Sequence, residues 1–242
     1  MKFFVIGLSS VLIVAMAATS LNPHWMRVTD FQLELSEASQ EAYIFQKIRN
    51  SLMPQLSSYK GRFFWQVSLA EIHNLVSHDK RVRDVHIYRD FPAGVRLEIE
   101  PHTPVMAFFD RDGKFYPVAT DATLLPALGS RESPDLPLLR GNEIKSDLHL
   151  REQALDLLHA FPEEGPLVSR KKISEIIYSP KDGFRVFVSG AQAEIKMGDT
   201  DFGPKVARVQ KVLSYLESQD IKGRVIDARF SKKVVVRVRN RP

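Results

Sequence analysis

The residues of this 242-residue chain that have the chemistry to bind a metal are poorly spaced for that role. Asp110-Arg111-Asp112-Gly113 begins like a calcium-binding loop, but the third ligand position and the closing glutamate of such a loop are missing. An Asp-Gly pair supplies the positive φ that hairpin turns need. We therefore predict a hairpin turn at these four residues and no metal site.

Catalytic motifs are also missing from the sequence. His73 and His78 are five residues apart, and no H-E-x-x-H pair occurs. The chain has no cysteine, which excludes disulfides, thiolate metal sites and a cysteine nucleophile. It has no G-x-S-x-G elbow, P-loop or dinucleotide-binding motif. We predict a protein that is not an enzyme and that has no cofactor, no metal and no small-molecule substrate.

The densest basic stretch lies near the C-terminus and has a pattern typical of protein binding. Lys232 and Lys233 are followed by Arg237, Arg239 and Arg241 on a strand-like segment. Such a segment is either a charged edge strand that blocks aggregation or an edge that accepts a partner by strand addition. The net charge of +5 is spread along the chain, which does not favour nucleic acid as a partner.

In chain order, the first predicted element is a membrane anchor at residues 1–21. After Lys2 this segment contains 19 residues without a charge, close to the length of about 20 that crosses a bilayer as a helix. Ala15-Met16-Ala17 also fits the cleavage site of a secretory signal peptide, so a cleaved signal is the alternative.

Both interpretations put the remaining chain outside the cytoplasm, because the basic start is expected on the cytoplasmic side. Residues 22–29 contain Pro23 and few spaced apolar residues, so we predict a linker. Trp25 within it is expected at the membrane interface.

Residues 30–103 have the pattern of a small α+β module. Residues 31–35 alternate as a half-buried strand does, and a helix is predicted to follow and to stop at Pro54. Ser68 with Glu71 three residues later forms a capping box that begins a second helix. Two alternating strands joined by a turn complete the order β-α-α-β-β, which predicts two helices on one face of a three-stranded sheet.

Residues 104–242 predict a second, mixed module. Strands flank the turn at 110–113, and helices are predicted at 148–161 and from Pro204 onwards. Alternating strands lie between these helices and again at the end of the chain.

Taken together, these residues resemble the FtsQ family of bacterial division proteins, called DivIB in some lineages, from about residue 28 to the end. The first module is similar to a POTRA domain, although Pro101-His102 stands where that pattern usually has Glu-Arg. The second is similar to the FtsQ-type β domain at three motifs, which are Asp112-Gly113-Lys114-Phe115-Tyr116, Leu136-Pro137-Leu138-Leu139-Arg140-Gly141 and Ile226-Asp227-Ala228-Arg229-Phe230.

The resemblance implies an α+β fold with three parts: an N-terminal transmembrane helix at 1–21, a POTRA domain (β-α-α-β-β) at 30–103, and a mixed α/β FtsQ-type β domain with an antiparallel sheet at 104–242. It implies an uncleaved, single-pass protein of the inner (cytoplasmic) membrane with a periplasmic C-terminal body at the division septum. It also implies a divisome scaffold whose partners are FtsB and FtsL.

In this family FtsB binds the last strands of the β domain. Carried onto this sequence, the resemblance implies the partner-binding residues Arg229, Phe230, Ser231, Lys232, Lys233, Val234, Val235, Val236, Arg237 and Val238. By strand addition, the open backbone would pair with the partner while Phe230 packs and Arg229 or Lys232 meets acids on it. The POTRA module would offer further edges near residues 31–35 or 85–89.

Two other functions remain open at this stage. A POTRA-containing periplasmic assembly or secretion factor would bind outer-membrane or secreted partners. A periplasmic hydrolase of the cell wall would need clustered titratable residues in a cleft, and no acid in the sequence stands out for that role.

Overall fold

A computed structural model of the chain describes residues 24–37, 39–129, 132, 135–189, 193–221 and 223–238. These residues divide into two compact units, 24–102 and 103–238. Among the helices of the described residues, none has the length and apolar character needed to cross a bilayer. The anchor predicted at 1–21 lies outside the described residues.

The first unit has the element order predicted for it. Its strands and helices are β1 Asp30–Leu35, α1 Ala42–Leu56, α2 Leu69–Ser77, β2 Val82–Asp90 and β3 Gly94–Pro101. Strand β3 lies in the centre of a three-stranded sheet, parallel to β1 and antiparallel to β2. Its alternation explains this position, because Val95, Leu97 and Ile99 are all fully buried.

Residues 24–29, expected to be a linker, pack into the first unit instead. The backbone N–H of Val28 donates to the carbonyl of Arg62 at 2.9 Å, and that of Gly61 donates to the carbonyl of Val28 at 2.9 Å. Val28 is 1% exposed. A buried apolar residue with both backbone groups paired belongs to the core rather than to a spacer.

Helix α1 continues past the proline that was expected to end it. Pro54 lies in its last turn, where the loss of one N–H donor removes a single hydrogen bond. The N–H of Ser57 donates to the carbonyl of Met53 and completes the turn. Leu52 and Leu56 are both buried on either side of the proline, and this burial stabilises the extra turn.

Helix α2 begins as the capping pattern predicts. The hydroxyl oxygen of Ser68 accepts a hydrogen bond from the backbone N–H of Glu71 at 3.3 Å. Ile72 and Val76 are fully buried on the face that points into the unit.

The second unit is an eight-stranded sheet with two helices. Its elements are β4 Pro104–Phe109, β5 Phe115–Ala119, β6 Leu138–Arg140, α3 Leu148–Ala160, β7 Ile173–Ser179, β8 Gly183–Val188, β9 Ala193–Gly198, α4 Phe202–Ser218, β10 Gly223–Asp227 and β11 Val235–Val238. The strand order is β11-β10-β9-β8-β7-β6-β4-β5.

The expectation of an antiparallel sheet is only partly right. The pairs β4–β6, β6–β7 and β9–β10 are parallel, whereas the other four pairs are antiparallel. Parallel neighbours need a long crossover. Helix α3 supplies it between β6 and β7, and α4 supplies it between β9 and β10.

Both helices share one apolar core with the sheet. Leu157 of α3 and Val209 of α4 are fully buried in the same cluster as Ile176 and Ile195 of the strands. Asp147 caps α3, because its carboxylate accepts a hydrogen bond from the N–H of Leu150 at 3.2 Å. The helices therefore fix the order of the strands that they connect.

The start of β8 gives the first prediction. A Cβ atom on Gly183 would lie 2.6 Å from the carbonyl carbon of Gly198 and would also collide with Asp199, and Gly183 has φ +67°. We expect Gly183→Ala to lower the free energy of unfolding by about 3 kcal/mol or more, because strain at positive φ adds to overpacking against backbone.

Gly113→Ala is the matched control for this substitution. Gly113 has φ +75° but no atom within 4 Å of a Cβ, so only the strain of about 1 kcal/mol is expected. Urea unfolding of both variants measures the difference, and equal losses would contradict the close packing of β8 against β9.

Candidate functional site

The C-terminal strand predicted to bind a partner forms one edge of the eight-stranded sheet. In β11, Val235 pairs with Asp227, Val236 with Ile226, and Arg237 with Val225, all antiparallel. Within the part of the chain that the structure describes, no backbone group outside β10 pairs with β11. Its outward N–H and C=O groups are therefore open to a further strand.

The opposite edge of this sheet is covered by the chain itself. The N–H of Leu125 donates to the carbonyl of Pro117 at 2.9 Å, and the N–H of Leu128 donates to the carbonyl of Phe115 at 2.8 Å. Pro117 also lacks an N–H, and proline is one of the devices that protect strand edges. Strand β5 is thus closed to partners, whereas β11 is open.

Side chains around β11 present apolar and cationic groups to solvent. Phe230 is 43% exposed, and Val235 and Val238 are 47% and 45% exposed. The ammonium of Lys233 lies 5.1 Å from the centroid of the Phe230 ring. Lys232, like Ser231 and Arg237, is exposed, and it makes no ion pair with the residues that the structure describes.

Val234 and Val236, two of the ten residues predicted to bind a partner, are less exposed than their neighbours. Val234 is partly buried against the core of the second unit. Val236 is half-buried beside Ile226, which is fully buried. These two valines fix the strand, whereas their exposed neighbours are available to a partner.

Arg229 is engaged within the protein and is not free to meet an acid on a partner. Its Nε and Nη2 donate to the two carboxylate oxygens of Asp227 at 2.9 and 2.7 Å, and its Nη1 donates to Asp182 at 2.8 Å. This hydrogen bonding lowers the pKa of the Asp227 carboxyl and raises that of Arg229. Arg229 therefore ties the chain after β10 to the turn between β7 and β8.

Helix α4 contains two basic residues that the sequence analysis did not identify, of which Arg208 contacts this segment and Lys205 contacts the end of β9 and the loop after it. Arg208 donates to the carbonyl of Phe230 at 3.2 Å. Lys205 is 5% exposed and donates to the carbonyls of Met197 at 2.8 Å and Thr200 at 2.5 Å, and desolvation lowers its pKa. The sequence does hold a signal, because Lys205 lies four residues before Val209 on the apolar stripe of the helix.

The 110–113 segment forms the predicted hairpin turn. The N–H of Asp110 donates to the carbonyl of Lys114 at 2.9 Å, and Gly113 has positive φ. The Asp110 carboxylate pairs with Lys145 at 2.6 Å. Among the described residues, no three His, Asp or Glu side chains are grouped so as to hold a metal.

An open cleft of about 430 Å³ lies beside this turn and is lined in part by Phe109, Arg140 and Lys145. Its cations are already paired, Lys145 with Asp110 at 2.6 Å and Arg140 with Glu175 at 2.7 Å. Arg111 at its rim donates to the amide oxygen of Asn142 at 2.8 Å. These three cations of the cleft are therefore engaged by groups of the protein itself.

Comparison with known proteins assigns the second unit to a family. The family model described as "Cell division protein FtsQ/DivIB, C-terminal" matches residues 107–229, about half of the chain. The "Cell division protein FtsQ" of Geobacter sp. (strain M21) is 25% identical over 183 residues, which cover 73% of this chain and 66% of the relative. The chain thus spans just under two thirds of the length of that relative.

The Asp227–Arg229 pair gives a pH-dependent prediction. Because the folded state lowers the pKa of Asp227, the pair stabilises the fold above the ordinary carboxyl pKa of about 4 and this contribution is lost as the pH falls below it. We expect Asp227→Asn to lower the free energy of unfolding by about 1–2 kcal/mol at pH 7. The difference from wild type should shrink as the pH falls towards 3, measured by urea unfolding.

Glu164→Gln is the control for this experiment. Glu164 and Lys171 form an ion pair whose side chains are 78% and 67% exposed, and solvent-screened pairs of this kind contribute little. Equal stability of Asp227→Asn and Glu164→Gln at pH 7 would show that the pair does not hold the turn.

Proposed function

This chain belongs to the FtsQ/DivIB family of cell division proteins, and we propose that it is a non-catalytic divisome scaffold. In this proposal it binds other division proteins by strand addition at β11. The observation that carries the proposal is the contrast between the two edges of the large sheet, since β5 is covered by its own chain and β11 is open.

The length of β11 limits what a backbone ladder can contribute. Four residues span about 13 Å, and two of them direct both backbone groups outward, which allows about four hydrogen bonds to a partner strand. At a net value of about 0.5–1.5 kcal/mol each, these bonds contribute about 2–6 kcal/mol in total, which offsets at most the lower part of an association cost of about 4–15 kcal/mol. Side-chain contacts next to the ladder must therefore supply affinity.

Phe230 is the side chain best suited to this role. It is an exposed aromatic ring five residues before the start of β11, and buried aromatic anchors dominate the energetics of protein interfaces. Arg208 and Arg229 hold the backbone around it, so the ring is presented without a large ordering cost.

The charges beside Phe230 indicate the chemistry of the partner. Lys232 and Lys233 are exposed cations, so the partner segment should combine an apolar side chain with nearby acids. In this proposal the partners are FtsB and FtsL, as the family resemblance implies, with FtsB bound at the last strands. The other family expectations belong to the same proposal, with residues 1–21 as an uncleaved inner-membrane anchor and both units in the periplasm at the septum.

The first unit, which we assign as a POTRA domain, has two further edges for membrane partners. Strands β1 and β2 each have one neighbour, β3, in their sheet. They contain the segments 31–35 and 85–89, which makes them candidates for secondary contacts.

Two substitutions test the side-chain part of the site. Phe230→Ala and Lys232→Glu in the full-length protein should each weaken capture of FtsB at least about tenfold, since they remove the aromatic anchor or reverse a charge. Both residues are exposed, so unfolding should change by less than about 0.5–1 kcal/mol. Equilibrium binding to immobilised FtsB measures the first effect and urea unfolding the second.

Tyr215→Ala and Lys211→Glu are the matched controls on α4. Tyr215 is 63% exposed and Lys211 is exposed, so they repeat the same chemical changes away from β11. Full capture by the Phe230 and Lys232 variants, and normal septation when they replace the wild-type protein in a depleted strain, would contradict the site.

Adjacent prolines test strand addition itself. The backbone N–H groups of successive residues in β11 point to opposite sides of the strand. Of the neighbouring residues Val236 and Arg237, one therefore donates to β10 and the other points outward, where a partner strand would bind. Substitution by proline removes the N–H group at that position, so Val236→Pro and Arg237→Pro remove one donor of each kind. We expect the variant that keeps its thermal stability to lose capture of FtsB. Wild-type affinity in that stable variant would exclude pairing along β11.

A further inference from the structure

One end of the first unit has a cluster of aromatic rings, three exposed and two half-buried, which we call the aromatic end. It consists of Trp25, Phe63, Phe64, Trp65 and Phe91. Trp25, Trp65 and Phe91 are 55%, 57% and 70% exposed. So much exposed aromatic surface in one place is unusual for a soluble surface and marks a contact site.

The rings form two contacting groups, which adjoin in the chain at the neighbouring residues Phe63 and Phe64. Trp25 and Phe64 each meet Phe91 edge to face, with centroid distances of 5.9 and 6.3 Å. Phe63 and Trp65 are stacked with centroids 4.9 Å apart. The cluster therefore joins three separate parts of the chain: the first described residues, the loop before α2 and the turn after β2.

Two arginines hold these rings in place. Arg27 lies 4.5 Å from the centroid of Phe63 and donates to the carbonyl of Gly61 at 2.9 Å. Arg89 lies 5.0 Å from the centroid of Phe64 and donates to the carbonyls of Phe64 and, at 2.8 Å, Val67. Because each guanidinium binds loop carbonyls, the rings stay fixed at the surface although water surrounds them.

The position of the aromatic end in the chain indicates what it contacts. Trp25 follows the uncharged run that ends at Leu21 by four residues, so it lies within about 14 Å of the end of that run. Tryptophan is enriched where a membrane protein crosses the lipid headgroups, because its ring is apolar and its N–H is polar. Both tryptophans of the chain lie in this cluster.

The charges at this end fit an anionic surface. Arg27, Lys60, Arg62 and Arg89 are the cations next to the rings. The acids at this end are Asp90, which precedes Phe91, and Asp30, which pairs with Lys60 at 3.5 Å. Cations therefore outnumber acids, which favours contact with anionic phospholipid headgroups.

We infer that the aromatic end lies in the headgroup layer of the membrane that carries the anchor. The inference rests on the membrane anchorage of residues 1–21 proposed above. Trp25, Trp65 and Phe91 enter the interface, and the exposed Arg62, next to Phe63 in the chain, meets lipid phosphates. The first unit is then held by two contacts, the anchor and its own surface, and its orientation on the membrane is fixed.

Trp65 reports on this contact directly. It lies 44 residues beyond Leu21, so the anchor by itself does not require it to touch lipid. Trp25→Phe leaves Trp65 as the sole tryptophan of the full-length protein, which is reconstituted in phosphatidylethanolamine and phosphatidylglycerol vesicles. Lipids brominated near the headgroup should quench its emission by at least about twofold, and aqueous acrylamide should quench it less than in detergent.

The control places a tryptophan at the far end of the same unit. Tyr43 is 56% exposed, against 57% for Trp65, and it lies one helix length away along α1, about 20 Å from Leu56. In a Trp25→Phe, Trp65→Phe background, the tryptophan emission of the Tyr43→Trp variant should not be quenched by brominated lipid but should be quenched by aqueous acrylamide.

The outcomes separate this inference from the proposed function. If the protein resists an alkaline wash of the vesicles but Trp65 stays open to acrylamide and insensitive to bromine, the aromatic end faces a protein instead of lipid and the inference is wrong. Loss of the protein in the wash would overturn both the anchorage and the inference. Equal quenching of the Tyr43→Trp variant would overturn the assignment to this end.

Discussion

An open β-sheet has two edges, and the backbone groups along each edge must find partners. In the large sheet of this protein, the two edge strands, β5 and β11, differ in whether their outward backbone groups are paired. The chain after β5 turns back along that strand and supplies donors to Phe115 and Pro117, whereas β11 has a neighbour on one side only among the described residues. An exposed strand edge is normally a hazard, and its retention in this sheet is the observation from which we propose a partner strand at β11.

Charged residues hold this edge together with Val234 and Val236. Asp182, Asp227 and Arg229 link the chain after β10 to a turn 47 residues earlier, and Arg208 of α4 donates to the carbonyl of Phe230. Charge-assisted hydrogen bonds to carbonyls and carboxylates have defined geometry, which apolar packing alone does not impose on an exposed turn. They position Phe230 without covering it.

In the first unit, arginine side chains likewise hold an irregular segment by donating hydrogen bonds to its carbonyls. Arg27 and Arg89 bind the carbonyls of the loop before α2 and lie over its aromatic rings. In both units, guanidinium groups fix short irregular segments whose aromatic side chains remain in solvent. Such preorganisation reduces the entropy lost on binding, and it fits a scaffold that acts through surfaces rather than through a catalytic cleft.

The sequence by itself determined the local features of this protein. Alternation predicted the β-α-α-β-β order, Asp112-Gly113 predicted the hairpin turn, and Ser68 predicted the start of α2, because each depends on residues close together in the chain. The same alternation predicted a strand at residues 234–239, and the family resemblance pointed to residues 229–238 as a binding segment.

Only the tertiary structure decided which strands are neighbours and which charges meet. Periodicity specifies the buried face of a strand but not its partner, so the parallel pairs and the covered edge of β5 were not predictable. The role of Arg229 changed for the same reason, since its partner Asp182 lies 47 residues away. Pro54 was misjudged because burial of Leu56 outweighs one lost hydrogen bond, and burial depends on contacts that only the folded chain makes.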